Sequence, residues 1–250
     1  MINDIFRKGD TILDDRFISQ LGLLNISLNK NQIEKFYRYY ELLIEWNKVM
    51  NLTAITDYEE VVQKHFIDSL SIVKVLDFSC IETVIDIGTG AGFPGLPLKI
   101  AFPHLKVVLL DSLQKRVNFL RELAGEIDLN DIIALHGRAE NYAQNLEYRE
   151  KFDLCVSRAV ANLSVLSEYC IPYIKIGGIF ISYKSGNIDD ELVRSKKAIN
   201  VLGGTIENVE KFNLPQSKIE RSLISVRKKK STAKKYPRKA GMPGKNPIGI

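Results

Sequence analysis

The chain is poor in the residues that build redox and metal sites. Its 250 residues hold three cysteines (Cys80, Cys155, Cys170), an odd number without C-x-x-C spacing, and three scattered histidines (His65, His104, His136). That excludes a disulfide framework and leaves no zinc-ligand pattern, so reduced thiols and no metal are expected. No apolar run approaches the ~20 residues that cross a bilayer, and the first ten residues hold no apolar signal core. A cytoplasmic location, no membrane partner and a monomer are the expectations. Acid is missing from one end. Residues 221–250 carry ten basic residues and no Asp or Glu, whereas the preceding 220 carry 25 basic against 30 acidic residues. Such a segment on an acidic body is a localised electrostatic footprint. It could be a solvated tail. Tyr236 and Pro237 interrupt the charge, however, and mixed aromatic and basic residues suit a phosphate backbone with exposed bases.

Residues 1–80 read as a helical extension. Asn29 and Gln32 form a capping-box pair, followed by Ile33, Phe36, Tyr37, Tyr40, Leu43 and Ile44 at helical spacing, with Trp46 on a neighbouring face. Core packing is the preferred reading of this aromatic stripe. A second helix is expected over 58–76. From 81 the pattern alternates. Strands are expected near 83–87, 106–111, 131–136, 152–157, 178–184, 204–212 and 221–227, with helices near 95–101, 113–126, 161–174 and 188–201. Buried strands alternating with helices imply a parallel sheet covered on both faces. The last two strands are joined too closely for a crossover and should form a hairpin. The expected organisation is a helical extension over 1–80, an α/β domain over 81–228 and a basic tail over 229–250.

The most informative stretch is Val84-Ile-Asp-Ile-Gly-Thr-Gly-Ala-Gly-Phe-Pro-Gly95. It reads as a buried strand entering a glycine loop that opens a helix, whose first N–H groups are expected to face a polar ligand. The dinucleotide pattern G-x-G-x-x-G fails when counted from Gly88, because position 93 is Phe. The frame Asp86-x-Gly88-x-Gly90-x-Gly92 instead resembles motif I of class I S-adenosylmethionine-dependent methyltransferases. That fold has a seven-stranded Rossmann-like sheet with an antiparallel terminal hairpin. Asp111, at the end of the second strand, is placed to accept ribose hydroxyls or to cap the next helix. Glu140 is either an adenine contact or a first-turn acid. Arg158, at the end of the fourth strand, is read as holding a phosphate, the cofactor carboxylate or a guanine O6, against an ordinary ion pair.

The chain lacks the Asn/Asp-Pro-Pro-Tyr motif of exocyclic-amine methylation. Neither Cys155 nor Cys170 is placed for attack at pyrimidine C5. What remains is an acceptor that needs neither covalent help nor a general base, and guanine N7 is one. The enzyme's share is then positioning and desolvation.

The chain resembles the glucose-inhibited division protein B family of bacterial small-subunit rRNA (guanine-N7) methyltransferases, over roughly 30 to 248. The resemblance rests on Leu42-Leu43-x-x-Trp46-Asn47, Asn51-Leu52-Thr53, His65-x-x-Asp68-Ser69-Leu70 and the glycine loop through Gly95. It continues with Arg138-Ala139-Glu140, Ser157-Arg158-Ala159 and Lys235-Tyr236-Pro237-Arg238-Lys239-x-Gly241-x-Pro243. It implies S-adenosyl-L-methionine as donor and a guanine near the decoding region of 16S rRNA, in the small ribosomal subunit, as acceptor. The implied cofactor contacts are Gly88, Gly90, Gly92, Phe93, Ala139, Glu140 and Arg158, with Asp111 by fold analogy and Arg158 also positioning. The implied RNA contacts are Arg116, Lys184, Lys234, Lys235, Tyr236, Arg238 and Lys239. Competing readings are a nicotinamide-dependent oxidoreductase, a non-catalytic RNA-binding assembly factor and a small-molecule methyltransferase. Removal of residues 228–250 is expected to weaken RNA binding and spare the cofactor site.

Overall fold

The computed structural model describes residues 10–158 and 160–249, with side chains from residue 15 onward. Residues 1–9 of the expected extension and Ala159 of the Ser157-Arg158-Ala159 motif lie outside the described residues. The helices are α1 (Asp10–Gly22), α2 (Lys30–Met50), α3 (Tyr58–Val61), α4 (Asp68–Leu70), α5 (Gly95–Ala101), α6 (Gln114–Glu126), α7 (Ala139–Tyr142), α8 (Leu163–Cys170), α9 (Asp189–Val201) and α10 (Met242–Lys245). The strands are β1 (Thr83–Ile87), β2 (Lys106–Asp111), β3 (Ile132–His136), β4 (Phe152–Arg158), β5 (Ile174–Lys184), β6 (Gly204–Asn213) and β7 (Glu220–Lys228).

The strands form one sheet in the order β3-β2-β1-β4-β5-β7-β6, with β7 antiparallel to both neighbours. The terminal hairpin expected from the short 214–219 connection is present. The order reverses between β1 and β4: the chain moves outward through β2 and β3, then returns to the other side of β1. At such a switch point the carboxyl ends of two strands part and leave a crevice. Alternate residues serve two cores. Val84, Leu109, Val156 and Ile181 face α1, α2, α5 and α6, whereas Ile85, Leu110, Cys155 and Phe180 face α8 and α9.

The capping box at α2 forms as expected, with Gln32 N–H donating to Asn29 Oδ1 at 3.0 Å and Asn29 N–H to Gln32 Oε1 at 2.9 Å. The buried face is turned relative to the expected stripe: Phe36 and Leu43 are buried, but Tyr39 takes the place assigned to Tyr37 and Tyr40. Tyr39 wins because it has a polar partner inside. Its hydroxyl donates to the Ala91 carbonyl at 2.6 Å, and its ring stacks on Phe93.

Two expectations are corrected. The single helix over 58–76 is composite: α3 runs into a π-helical turn, Val62–Ile67, then α4, then a 3-10 turn, Ser71–Lys74. The widened turn keeps Phe66 and Ile67 in the core while His65 and Asp68 reach the crevice. Nor do residues 229–249 form a free tail; they are strapped over α7, α8 and the loop that follows α7. Arg149 donates to the carbonyls of Thr232, Ala233 and Tyr236, and Gln144 to that of Pro237. Thr232 is buried, donating its hydroxyl to the Leu202 carbonyl at 2.6 Å. The carbonyl groups of the basic segment are satisfied by side-chain donors of the α/β domain, and the Leu202 carbonyl by the Thr232 hydroxyl, which is the requirement that buried backbone imposes.

Candidate active site

The glycine loop joins β1 to α5, and each glycine has a separate reason. A Cβ on Gly88 would sit 2.5 Å from Val160, and one on Gly92 would meet Leu96 and the Tyr39 hydroxyl at 2.7 Å. A Cβ on Gly90 meets nothing within 4 Å, although its φ is +63°. Gly88 and Gly92 therefore let protein pack closely, and Gly90 keeps a flank open to a ligand.

The expected free N–H groups at the start of α5 are absent. Gly95 N–H donates to the buried Asp86 carboxylate at 2.8 Å, Leu96 N–H to the Gly92 carbonyl at 2.8 Å, and Pro94 has none to give. In the loop itself, the N–H groups of Gly88 and Thr89 donate to Leu110, and those of Gly92 and Phe93 to Thr89. Gly90 N–H donates to Asp111 Oδ2 at 2.9 Å. With the N–H groups of Gly88, Thr89, Gly90, Gly92 and Phe93 engaged, the loop has little left to cradle a pyrophosphate, which weighs against the nicotinamide reading. It fits a cofactor that carries adenosine but no phosphate. Burial pushes the Asp86 carboxyl up to about 7, against the Thr89 hydroxyl and Gly95 N–H that hold it down; its Oδ1 has no protein partner among the described residues.

Two cavities meet at Gly88, Asp111, Ser112 and Val160. The first, of about 420 Å³, is lined by Gly137, Arg138, Ala139, Glu140, Asn162 and Tyr169. The second, of about 380 Å³, is lined by Thr53, His65, Gly90, Phe93, Arg116 and Arg158. Both volumes lie in the range of small-molecule sites. Asp111 stands between them. Leu113 N–H fixes its Oδ1 at 2.9 Å, Gly90 N–H fixes its Oδ2, and Arg116 lies 3.4 Å from it. It is a carboxylate at the junction and does not cap α6, whose N-cap is Leu113 without a side-chain bond; it holds the turn that leads into that helix.

The structure brings Gly88, Gly90, Phe93, Asp111, Ala139, Glu140, Arg116 and Arg158 to this crevice, while Gly92 packs behind it. Glu140 is buried and accepts from Gly241 N–H of the strap at 2.8 Å. Phe93 is stacked on His65, with centroids 4.5 Å apart, and Arg158 lies over its ring at 5.1 Å. Arg158 is an ion pair, but not a surface one. It donates to Asp68 Oδ2 at 3.0 Å, while Arg221 Nε donates to Asp68 Oδ1 at 3.0 Å. Burial and the Arg158 charge push the His65 imidazole down to about 3, so it is neutral near pH 7.

The basic residues divide. Lys234, Lys235 and Lys239 are exposed. Tyr236 is half-buried against the second core, with Lys235 at its ring. Lys184 is held by Glu191 at 2.6 Å and the Ala161 carbonyl at 2.7 Å, and Arg238 lies bidentate on the buried Glu168. The last two cations are committed inside the protein. Sequence reasoning missed Tyr39 and Arg221. Arg221 was counted with the basic terminal segment, and its partner lies 153 positions away, so local spacing carried no signal.

Gly90→Ala is expected to leave the melting temperature within a few degrees of wild type, since left-handed alanine costs about 1–2 kcal/mol. Its methyl group would enter the open flank, so cofactor affinity should fall about tenfold or more by calorimetry, consistent with about 1.4 kcal/mol per decade. Unchanged affinity would mean that the ligand does not pass Gly90.

A family model described as GidB, rRNA small subunit methyltransferase G, matches residues 32–224. Curated proteins named ribosomal RNA small subunit methyltransferase G are similar along nearly their whole length. The one from Lachnoclostridium phytofermentans is 54% identical, covering 93% of this chain and 96% of that protein. The one from Clostridium kluyveri is 47% identical, covering 98% and 99%. Among solved structures, a Pyrococcus horikoshii protein described as a transferase, PH0793, is similar in fold. Its TM-score is 0.52 at 16% identity, over 66% of this chain and 63% of that one. A chain of the complex between the Haloferax volcanii Trm112 methyltransferase activator and a methyltransferase gives a TM-score of 0.54 at 13% identity, over 70% and 94%.

Proposed function

Because the chain belongs to the GidB family of rRNA small subunit methyltransferases, we propose that it transfers a methyl group from S-adenosylmethionine to N7 of one guanine in 16S rRNA, near the decoding region. The observation that carries this reading is the crevice at the β1–β4 switch point, where the glycine loop leaves a flank open at Gly90 and spends most of its N–H groups internally. The first cavity takes adenosine, with Asp111 at the ribose and Ala139 and Glu140 beside the base. The second takes the methionine end and the acceptor base. S-adenosylmethionine supplies an electrophilic methyl group for in-line displacement by a ring nitrogen that carries no proton.

The protein's own residues then have only to position and desolvate. No general base is needed, and His65 would be a weak one: burial and Arg158 hold its pKa down to about 3, and its ring nitrogens are engaged. Arg158, clamped by Asp68 and laid over Phe93, fixes the wall against which the acceptor docks. The exposed Lys234, Lys235 and Lys239 approach the RNA backbone, while Arg116 sits at the mouth of the crevice.

The test is methyl transfer from labelled S-adenosylmethionine to small ribosomal subunits lacking the modification, with mass spectrometry of the digested rRNA. A single 7-methylguanosine is expected. Cofactor binding without transfer to subunits or free rRNA would point to a non-catalytic role in ribosome assembly.

A further inference from the structure

The second cavity contains a hydroxyl whose direction is fixed by its neighbours. Arg158 Nη2 lies 3.3 Å from His65 Nδ1. A guanidinium can only donate, so Nδ1 must accept and the single imidazole proton sits on Nε2. The Lys64 carbonyl lies 3.1 Å from Nδ1 and accepts from Arg158 Nη1 at 3.2 Å; its second lone pair offers Nδ1 only a neutral partner, and the charge-assisted bond from the guanidinium is the stronger of the two. The opposite tautomer would set an N–H against a guanidinium N–H. Burial and the same guanidinium keep the ring from taking a second proton.

His65 Nε2–H therefore donates to Thr53 Oγ1 at 2.9 Å, and Ile55 N–H donates to the same oxygen at 3.0 Å. A hydroxyl has two lone pairs and one proton. Both lone pairs are taken, so the Thr53 O–H proton is left to donate, and Thr53 lines the cavity beside Phe93 and Arg158.

We propose that the Thr53 hydroxyl is a donor-only group that reads the O6 carbonyl of the target base and so selects guanine over adenine. The proposal rests on the guanine-N7 reading above. On that edge of the ring guanine offers two acceptors, N7 and O6, whereas adenine replaces O6 with an amino donor. An ordinary threonine would turn its hydroxyl to accept from that amine. Here turning would break the bonds from His65 and Ile55, and two donors would face each other. A site built around a fixed hydrogen bond rejects the analogue that cannot complete it. Thr53 is thus a specificity-determining residue, with His65, Arg158 and Asp68 acting behind it.

The experiment compares small subunits reconstituted with guanine or 2,6-diaminopurine at the target position. The analogue keeps N7 and carries an amino group in place of O6. Wild-type enzyme is measured against Thr53→Val and Thr53→Ser, with S-adenosylmethionine affinity by calorimetry for each. Thr53→Val is expected to lower kcat/KM on guanine RNA by about tenfold or more, the cost of leaving a buried acceptor unpaired. It should leave the low rate on diaminopurine RNA unchanged, while Thr53→Ser keeps both rates and all three proteins bind the cofactor alike. An equal loss on both RNAs would overturn the proposal, because it would make the hydroxyl merely structural. So would a matching loss of cofactor affinity, which would assign the proton to the methionine carboxylate. Equal wild-type rates on the two RNAs would overturn it without any variant. Absence of N7 methylation by wild type on guanine RNA would instead remove the functional reading itself.

Discussion

Deleting residues 229–250 abolishes cofactor binding together with RNA binding, and this is the first large effect expected. The strap is part of two structures at once. Its Arg238 neutralises Glu168, which is 0% exposed, through hydrogen bonds of 2.6 to 3.2 Å. Its Gly241 N–H caps the Glu140 carboxylate that lines the first cavity. Removing one partner of a buried pair costs about 3–5 kcal/mol. The Arg238 side chain is 24% exposed, so Arg238→Ala alone should fall near the lower end. Full deletion also strands the Arg149 donors and the Leu202 carbonyl. Against a total stability of about 5–15 kcal/mol, the truncated chain should show an early, broadened denaturation curve and no measurable S-adenosylmethionine binding. The opposite contrast isolates the RNA contribution: Lys234, Lys235 and Lys239 changed together to Gln should leave cofactor affinity intact. The salt dependence of RNA binding should then flatten by about 0.7 in log–log slope for each phosphate that is no longer neutralised. A truncated chain that keeps wild-type cofactor affinity would return the segment to the role of a free tail.

The second large effect is expected at Asp68. This buried carboxylate is shared by two guanidiniums, Arg158 and Arg221, whose side chains are 14% and 18% exposed. Asp68→Ala leaves two like charges facing each other out of water, a loss of about 3–5 kcal/mol. Asp68→Asn keeps the shape but can satisfy only one of them through its remaining oxygen. Both variants free Arg158, so methyl transfer should fall even where the protein remains folded. Chemical denaturation measures the change in stability, and single-turnover kinetics on folded protein measures the change in positioning. Arg221→Leu in the Asp68→Asn background relieves the like-charge repulsion, so the double variant should be more stable than Asp68→Asn alone, a coupling that a cycle measures. Strict additivity would mean that the two guanidiniums do not share the carboxylate in solution.

Much of the architecture could be read from the chain because its signals are local. Val84, Ile85 and Ile87 announce a buried strand, the glycines at 88, 90 and 92 a turn of positive φ, and the short link before Glu220 a hairpin. Asn29 and Gln32 are three residues apart and cap one another without help from the rest of the fold. The crevice residues Gly88, Gly90, Asp111 and Glu140 were legible for the same reason: each stands at, or within four residues beyond, the carboxyl end of a strand whose position the pattern sets.

Other features were not legible, because they depend on what meets what. Asp86 could be read as the head of the glycine frame, but not as the carboxylate that closes the N-terminus of α5 and with it the option of a phosphate-bearing cofactor. Charge counting could not separate Lys234 and Lys239, which stay in water, from Arg238 and Lys184, which meet acids 70 and 7 positions away. The π-helical turn that brings His65 and Asp68 to one side is invisible to a 3.6-residue period.

By itself, then, the sequence determined the sheet, its hairpin end and the location of the crevice, since backbone periodicity and glycine placement act over a few residues. Only the tertiary structure decided which cations are free, which way the Thr53 hydroxyl points and that the basic end is a strap. Those outcomes rest on buried charges and hydrogen-bond donors finding partners, and in a folded chain most of those partners lie far away in sequence.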